Sequence, residues 1–141
     1  MTVAHVEKML GLKEKVRSPL DLVNLGQKGL PKKTVVKLGK FLSVGAGDMA
    51  ALLFVSRKTV ERYSKNLEGH LNHAVSERVL RLAMVAGRCG EVFGDEKLYN
   101  EWLKSENTAL GGRTPLSLMK SDFGIDMVLN ELGRMEYGII S

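Results

Sequence analysis

Apolar side chains recur along this chain at intervals of three and four, the spacing of one face of an α-helix, and nowhere alternate over a strand's length. Val3, Val6 and Leu10 space a first helix that Gly11 should end. Ser18-Pro19 reads as a second helix start, a capping hydroxyl followed by proline at the first helical position, and Gly29 as its stop. From Pro31, "PKKTVVKLGKFL" sets Val35, Leu38 and Leu42 on one face and Lys33, Lys37 and Lys40 on the opposite one. Two short helices follow in "GDMAALL" and "SRKTVERYSK", joined by Phe54-Val55.

The longest helix is expected from near Asn72 to Phe93, with Val75, Val79, Leu82, Ala86, Cys89 and Phe93 as its apolar stripe. Ala83, Gly87 and Gly90 form a small-residue strip beside it, suited to close helix approach in packing or dimerisation. Gly94 breaks the chain, and Asp95 caps a short helix carrying Leu98, Trp102 and Leu103. The loop "NTALGGRTPLSLM" leads into a helix from Pro115. Another helix runs from near Gly124 to Leu132, followed by a tail, "GRMEYGIIS". There is no internal repeat, and the fold class is all-α.

With 141 residues, 44% of them hydrophobic and 26% charged, the chain has the make-up of one globular domain or two small ones. It has no apolar run long enough to span a membrane and no signal-peptide pattern at its start. Its single cysteine, Cys89, lies on the apolar stripe and reads as a small buried residue. A cytoplasmic chain without membrane contact is expected.

Charge divides the chain unevenly. Residues 1–70 carry 13 basic and 6 acidic side chains, residues 71–141 carry 8 and 10, and residues 28–65 hold the whole basic excess. Such a division suggests two surfaces with different partners, a solvated helical face being the alternative.

The segment Asp48–Lys65 has the organisation of a DNA-reading helix-turn-helix. Ala50 is small where two helices must cross, Leu52, Leu53 and Val55 bury the turn, and Val60 points back to the core. Ser56 caps the second helix, leaving Arg57, Lys58, Thr59, Arg62 and Lys65 outward. A recognition helix uses such residues on base edges and phosphates, with Lys32, Lys33, Lys37 and Lys40 available for further phosphates. Phe54 stands in the turn where a positive φ is needed and glycine is usual. A purely structural helix pair is the competing reading.

Signatures of catalysis fail. His70 and His73 have helical spacing but no companion metal ligands, so a loop or helix-start role suits them better. The loop "ALGGRTPLSL" lacks the lysine and hydroxyl of a phosphate-binding loop, and no strand precedes it. No catalytic residue, metal site or cofactor is expected. An enzyme built on the Gly-Gly-Arg loop has the least support.

These pieces resemble a known family. "LLFVSRKTVERY" is similar to the Xre-like helix-turn-helix of Xre/MbcA/ParS-type antitoxins, the partners of RES-domain toxins. The "RVLRLA" helix, the "VFGD" break, a Trp-Leu helix, the "NTALGGRTP" loop and the terminal "EYG" resemble that family's toxin-binding domain, in order, over about 70 residues. Thr108, where the family often has proline, and "NHAVSE", where a Ser/Thr-Pro-Glu start is usual, are modest departures.

The resemblance implies an N-terminal helix-turn-helix domain, 1–70, and a small helical toxin-binding domain, 71–141. It implies neutralisation of a cognate RES-domain toxin that degrades NAD⁺, by covering its active site. Repression of its own operon, as a homodimer within a larger toxin–antitoxin complex on operator DNA, is implied as well. Carried onto this chain, toxin contact falls to Gly111, Gly112 and Arg113 in the loop and to Arg134, Glu136, Tyr137 and Gly138 in the tail. Glu136 is expected in a cationic site of the toxin and Tyr137 as an anchor. A stand-alone repressor whose C-terminal half only dimerises is the alternative.

Overall fold

The computed structural model describes residues 6–138, and among these nine α-helices and one 3-10 turn account for the regular structure, with no strand. The chain divides into two compact units, 1–87 and 88–141. The helices are α1 (Val6–Leu10), α2 (Pro19–Lys28), α3 (Lys33–Leu42), α4 (Ala46–Leu53), α5 (Arg57–Lys65), α6 (His73–Phe93), α7 (Glu96–Leu103), α8 (Pro115–Leu118) and α9 (Asp122–Gly138). Val3, placed on the first helix from its spacing, lies outside the described residues.

Local chemistry sets most boundaries. Ser18 and Asp21 form a reciprocal capping box at the start of α2, with Pro19 at its first position. The Asn72 side chain accepts from the Val75 N–H at 2.9 Å and caps α6, and Asp95 accepts from Lys97 N–H at 3.0 Å to cap α7. Thr114 does the same for α8 through Ser117 N–H at 3.2 Å. By contrast α4 starts at Gly45 with no side-chain cap, so tertiary packing holds it in place.

In the first unit α1, α3, α4 and α5 pack on one another. Leu38, Leu42, Leu52 and Leu53 are fully or almost fully buried there, as are Val35, Met49, Val60 and Tyr63. Leu30 N–H donates to the buried Ser76 hydroxyl at 2.9 Å, and His73 Nδ1 meets the Gly26 carbonyl at 3.1 Å, tying the start of α6 to the end of α2. His73 thus serves at a helix start, as its position suggested.

The second unit buries Tyr99 and Leu103 of α7, Leu110, Leu118 and Met119 around α8, and Ile125, Val128 and Leu132 of α9. Here α9 packs on α8 and on the 3-10 turn Thr108–Leu110. Gly124 is a point of close approach: a Cβ placed there would clash with the Leu118 carbonyl oxygen.

Three expectations change. The face of α7 turns about one residue, so that Tyr99 is buried and Leu98 is 49% exposed, while Trp102 is half-buried against Phe93 with ring centroids 5.5 Å apart. At Gly90 a Cβ would meet nothing within 4 Å, so the small-residue strip does not mark a close approach there. The stretch 133–138 is not a tail: it continues α9 through Gly138, because Leu132 is buried and Glu131 and Glu136 are tied down by arginines. Residues 139–141 of "EYGIIS" lie outside the described residues.

Candidate functional sites

In the first unit, α4 and α5 form the helix pair expected of a helix-turn-helix. Ser56 accepts from Thr59 N–H at 3.1 Å, and the two hydroxyls lie 2.9 Å apart. That cap fixes the entry of α5 while its exposed face carries Arg57, Lys58, Arg62 and Lys65. Thr59 is half-buried by the cap. Arg57 donates to Glu61 at 3.0 Å, an exposed i, i+4 pair that is easily exchanged for another partner. Lys37 and Lys40 of α3 are exposed, and Lys32 and Lys33 are half-buried.

The turn has the geometry that a glycine normally supplies, but Phe54 adopts it, with φ 61° and ψ 39°. Its ring is 58% exposed. Arg78, only 6% exposed, reaches across from α6 and donates from Nε and Nη2 to the Leu52 carbonyl at 2.9 and 2.7 Å. Its guanidinium also lies 4.1 Å from the Phe54 ring centroid. One buried arginine therefore satisfies a carbonyl at the end of α4 and holds the aromatic residue that makes the turn. Sequence reasoning missed Arg78 because an arginine on a helix is ordinarily placed in solvent.

In the second unit the expected loop is a closed one. Asn107 and Arg113 pair through a backbone bond of 3.1 Å, Gly112 N–H returns to Asn107 O at 2.9 Å, and the Asn107 side chain accepts from Ala109 N–H. Gly111 and Gly112 both have positive φ, 73° and 78°, and a Cβ at either would meet nothing within 4 Å. Their conformation, not a close approach, is what demands glycine. Gly111, Gly112 and Arg113 are exposed at the tip.

The 3-10 turn within this loop lies beside α9, and a cleft of about 350 Å³ opens between them, lined by Ala109, Leu110, Met127, Asn130, Glu131 and Arg134. The structure thus sets the 3-10 turn of the loop beside Arg134, while Gly111, Gly112, Arg113, Glu136, Tyr137 and Gly138 lie outside this lining. Arg134 is held by the buried Glu131 through Nε and through Nη2 at 3.0 Å. That hydrogen bond, with the Glu131 charge, raises the Arg134 pKa.

Glu136 is committed elsewhere. Arg88 Nη1 donates to it at 2.8 Å and to Glu91 at 2.8 Å, Arg88 and Glu136 being half-buried and Glu91 exposed. Burial opposes the Arg88 charge, but the Glu91 hydrogen bond and the Glu136 charge and hydrogen bond outweigh it, so its pKa rises. Tyr137 is 68% exposed, and Gly138 ends the helix.

Cys89 is fully buried, and desolvation pushes its thiol up to about 12, against a small opposing effect of Arg88. It is a packing residue, inert as a nucleophile at neutral pH. Among the described residues no group of three or more His, Cys, Asp or Glu is placed to hold a metal, and no helix is long and apolar enough to cross a membrane.

Comparison with known proteins matches both units. Residues 21–84 match the family described as the antitoxin Xre-like helix-turn-helix domain. Residues 90–138 match the antitoxin Xre/MbcA/ParS C-terminal toxin-binding domain. A protein named Antitoxin Xre from Photorhabdus laumondii subsp. laumondii is 29% identical over 114 residues, covering 80% of this chain and 76% of that one. Another Antitoxin Xre, from Yersinia enterocolitica, is 31% identical over 75 residues, 52% and 51% of the two chains. Among solved structures, a chain of the M. tuberculosis MbcT-MbcA toxin-antitoxin complex superposes with a TM-score of 0.57 and 25% identity, covering 77% of this chain and 95% of that one. By both of its domains, the chain belongs to the Xre/MbcA/ParS-type antitoxins of toxin–antitoxin systems.

Proposed function

We propose that this antitoxin neutralises a RES-domain toxin that degrades NAD⁺, by covering its active site, and that it represses its own operon as a homodimer. It acts by binding, without catalysis or cofactor, in the cytoplasm. The helix-turn-helix half, within residues 1–70, reads operator DNA through Ser56, Arg57, Lys58, Thr59, Arg62 and Lys65. The half within 71–141 grips the toxin through Gly111, Gly112 and Arg113 and through Arg134, Glu136, Tyr137 and Gly138 at the end of α9.

One observation carries the toxin reading: the 3-10 turn that opens the closed loop and Arg134 of α9 line one cleft inside the region that matches the toxin-binding domain. Glu136 lies outside the cleft lining and contributes through its ion pair with Arg88, which fixes the last turns of the helix. Arg134, already oriented by Glu131, presents an ordered guanidinium at the rim.

Cells expressing the cognate RES-domain toxin should lose NAD⁺ and keep it when the full chain is co-expressed. The chain truncated after Gly133 should not restore it. NAD⁺ that falls equally with and without the full chain would exclude this function.

The DNA reading has a separate measurement. Arg57→Ala with Lys58→Ala should weaken binding of the chain's own promoter DNA about tenfold or more and flatten its salt dependence, while rescue from the toxin is unchanged. If the unaltered chain shifts no promoter DNA even at low salt, the repressor role is absent.

A further inference from the structure

Helix α9 has a face that its own unit leaves uncovered. Phe123, Met127, Asn130, Arg134 and Tyr137 recur at steps of four, three, four and three, which sets them along one line of an α-helix. Phe123 is 85% exposed, Met127 43% and Tyr137 68%. The opposite face is the one used internally, with Gly124, Ile125, Val128, Glu131 and Leu132 buried.

Scattered exposed apolar residues mean little, but an ordered line of two aromatics and a methionine on one helix marks an interaction surface. Of the charges here, Arg134 on the line is engaged by Glu131, the exposed Asp126 flanks the line, and Glu136, off it, is held by Arg88. The cleft between the 3-10 turn and α9 adjoins the line at Met127, Asn130 and Arg134.

We infer that α9 docks as a preformed helix along an apolar groove of the toxin, with Phe123, Met127 and Tyr137 as its anchors. The occupant follows from position: the whole line lies within 90–138, the region that matches a toxin-binding domain. The inference rests on the antitoxin reading above and specifies its contact. The neutralising element is the side of a rigid helix, held before the partner arrives, and its anchors reach back along α9 from Tyr137 to Phe123. Fourteen residues of helix place Phe123 about 21 Å from Tyr137, which sets the length of the groove. Helix-in-groove recognition places its anchors at this kind of spacing, and the adjoining cleft offers the toxin a hollow for one side chain of its own.

The test uses the full chain and the purified cognate RES-domain toxin, with affinity measured by calorimetry. Phe123→Ser and Met127→Lys should each weaken binding about 30-fold or more. Both sites are solvent-facing, so the melting temperature should stay as it is. Leu98→Ser, at an apolar residue of α7 about as exposed as Met127, serves as the control and should bind as the unaltered chain does. If the unaltered chain binds and both α9 variants bind within threefold of it, the docking face is wrong while the antitoxin reading stands. If the variants abolish self-association and leave toxin affinity intact, the face belongs to a second copy and the inference falls. If the unaltered chain does not bind the toxin at all, the antitoxin reading falls with it.

Discussion

Gly124→Ala is expected to destabilise the second unit by about 3 kcal/mol, the high end of overpacking. The added methyl carbon would clash with the Leu118 carbonyl oxygen and sit 2.6 Å from its carbon, both backbone atoms that no rotamer change can move. Only separation of α8 from α9 would relieve the clash, and that would open the core around Ile125, Val128 and Met119. Gly133→Ala, on the same helix, meets nothing within 4 Å and should stabilise by about 0.5–1 kcal/mol through helix propensity. The chain's single tryptophan, Trp102, belongs to this unit and reports its unfolding by fluorescence in urea. A midpoint for Gly124→Ala no lower than that of Gly133→Ala would show that α8 and α9 do not cross at this point.

Arg78→Met should cost the first unit about 3 kcal/mol. Methionine keeps most of the aliphatic bulk but leaves the Leu52 carbonyl without its two donors, a penalty of about 1–3 kcal/mol for a buried acceptor. Losing the guanidinium over the Phe54 ring adds roughly 1 kcal/mol. The companion change, Phe54→Gly, gives up the cation–π contact but relieves the left-handed strain, about 1 kcal/mol each way, and should be close to neutral. Far-UV circular dichroism in urea follows both, and the double variant should lose less than the sum of the two. Full additivity would mean that arginine and phenylalanine act separately in holding the turn.

Much of the fold was legible because it rests on local chemistry. Ser18-Pro19, Ser56, Asp95 and Thr114-Pro115 announce helix starts through caps that involve only the next three residues. The core stripe of α6 was legible for the same reason, since one helical period decides it. What escaped depends on partners distant in sequence. Arg78 is buried because a carbonyl 26 residues earlier needs donors, and Glu136 is fixed because Arg88 lies 48 residues before it. Glycines misled in both directions: Gly124 hides a backbone crossing that its neighbours do not signal, whereas Gly133 suggested an end to a helix that continues. The exposed face of α5 was legible at Arg57, Lys58, Arg62 and Lys65 because they follow a cap, whereas Thr59, expected outward, is half-buried by that cap. The end of α9 was read as a tail because the ion pair that fixes Glu136 comes from Arg88 on α6.

The loop tip carries one more implication, which concerns handedness. At Gly111 and Gly112 space is plentiful, and an added methyl would touch nothing; only the sign of φ stands against it. The obstacle is therefore the chirality of the residue and not its size. Every L-residue at these two positions meets backbone strain of roughly 1 kcal/mol. A D-alanine would fit the same path without strain and would narrow the unfolded ensemble as well. The exposed turn beside α9 accepts bulk but not the ordinary hand of a protein chain.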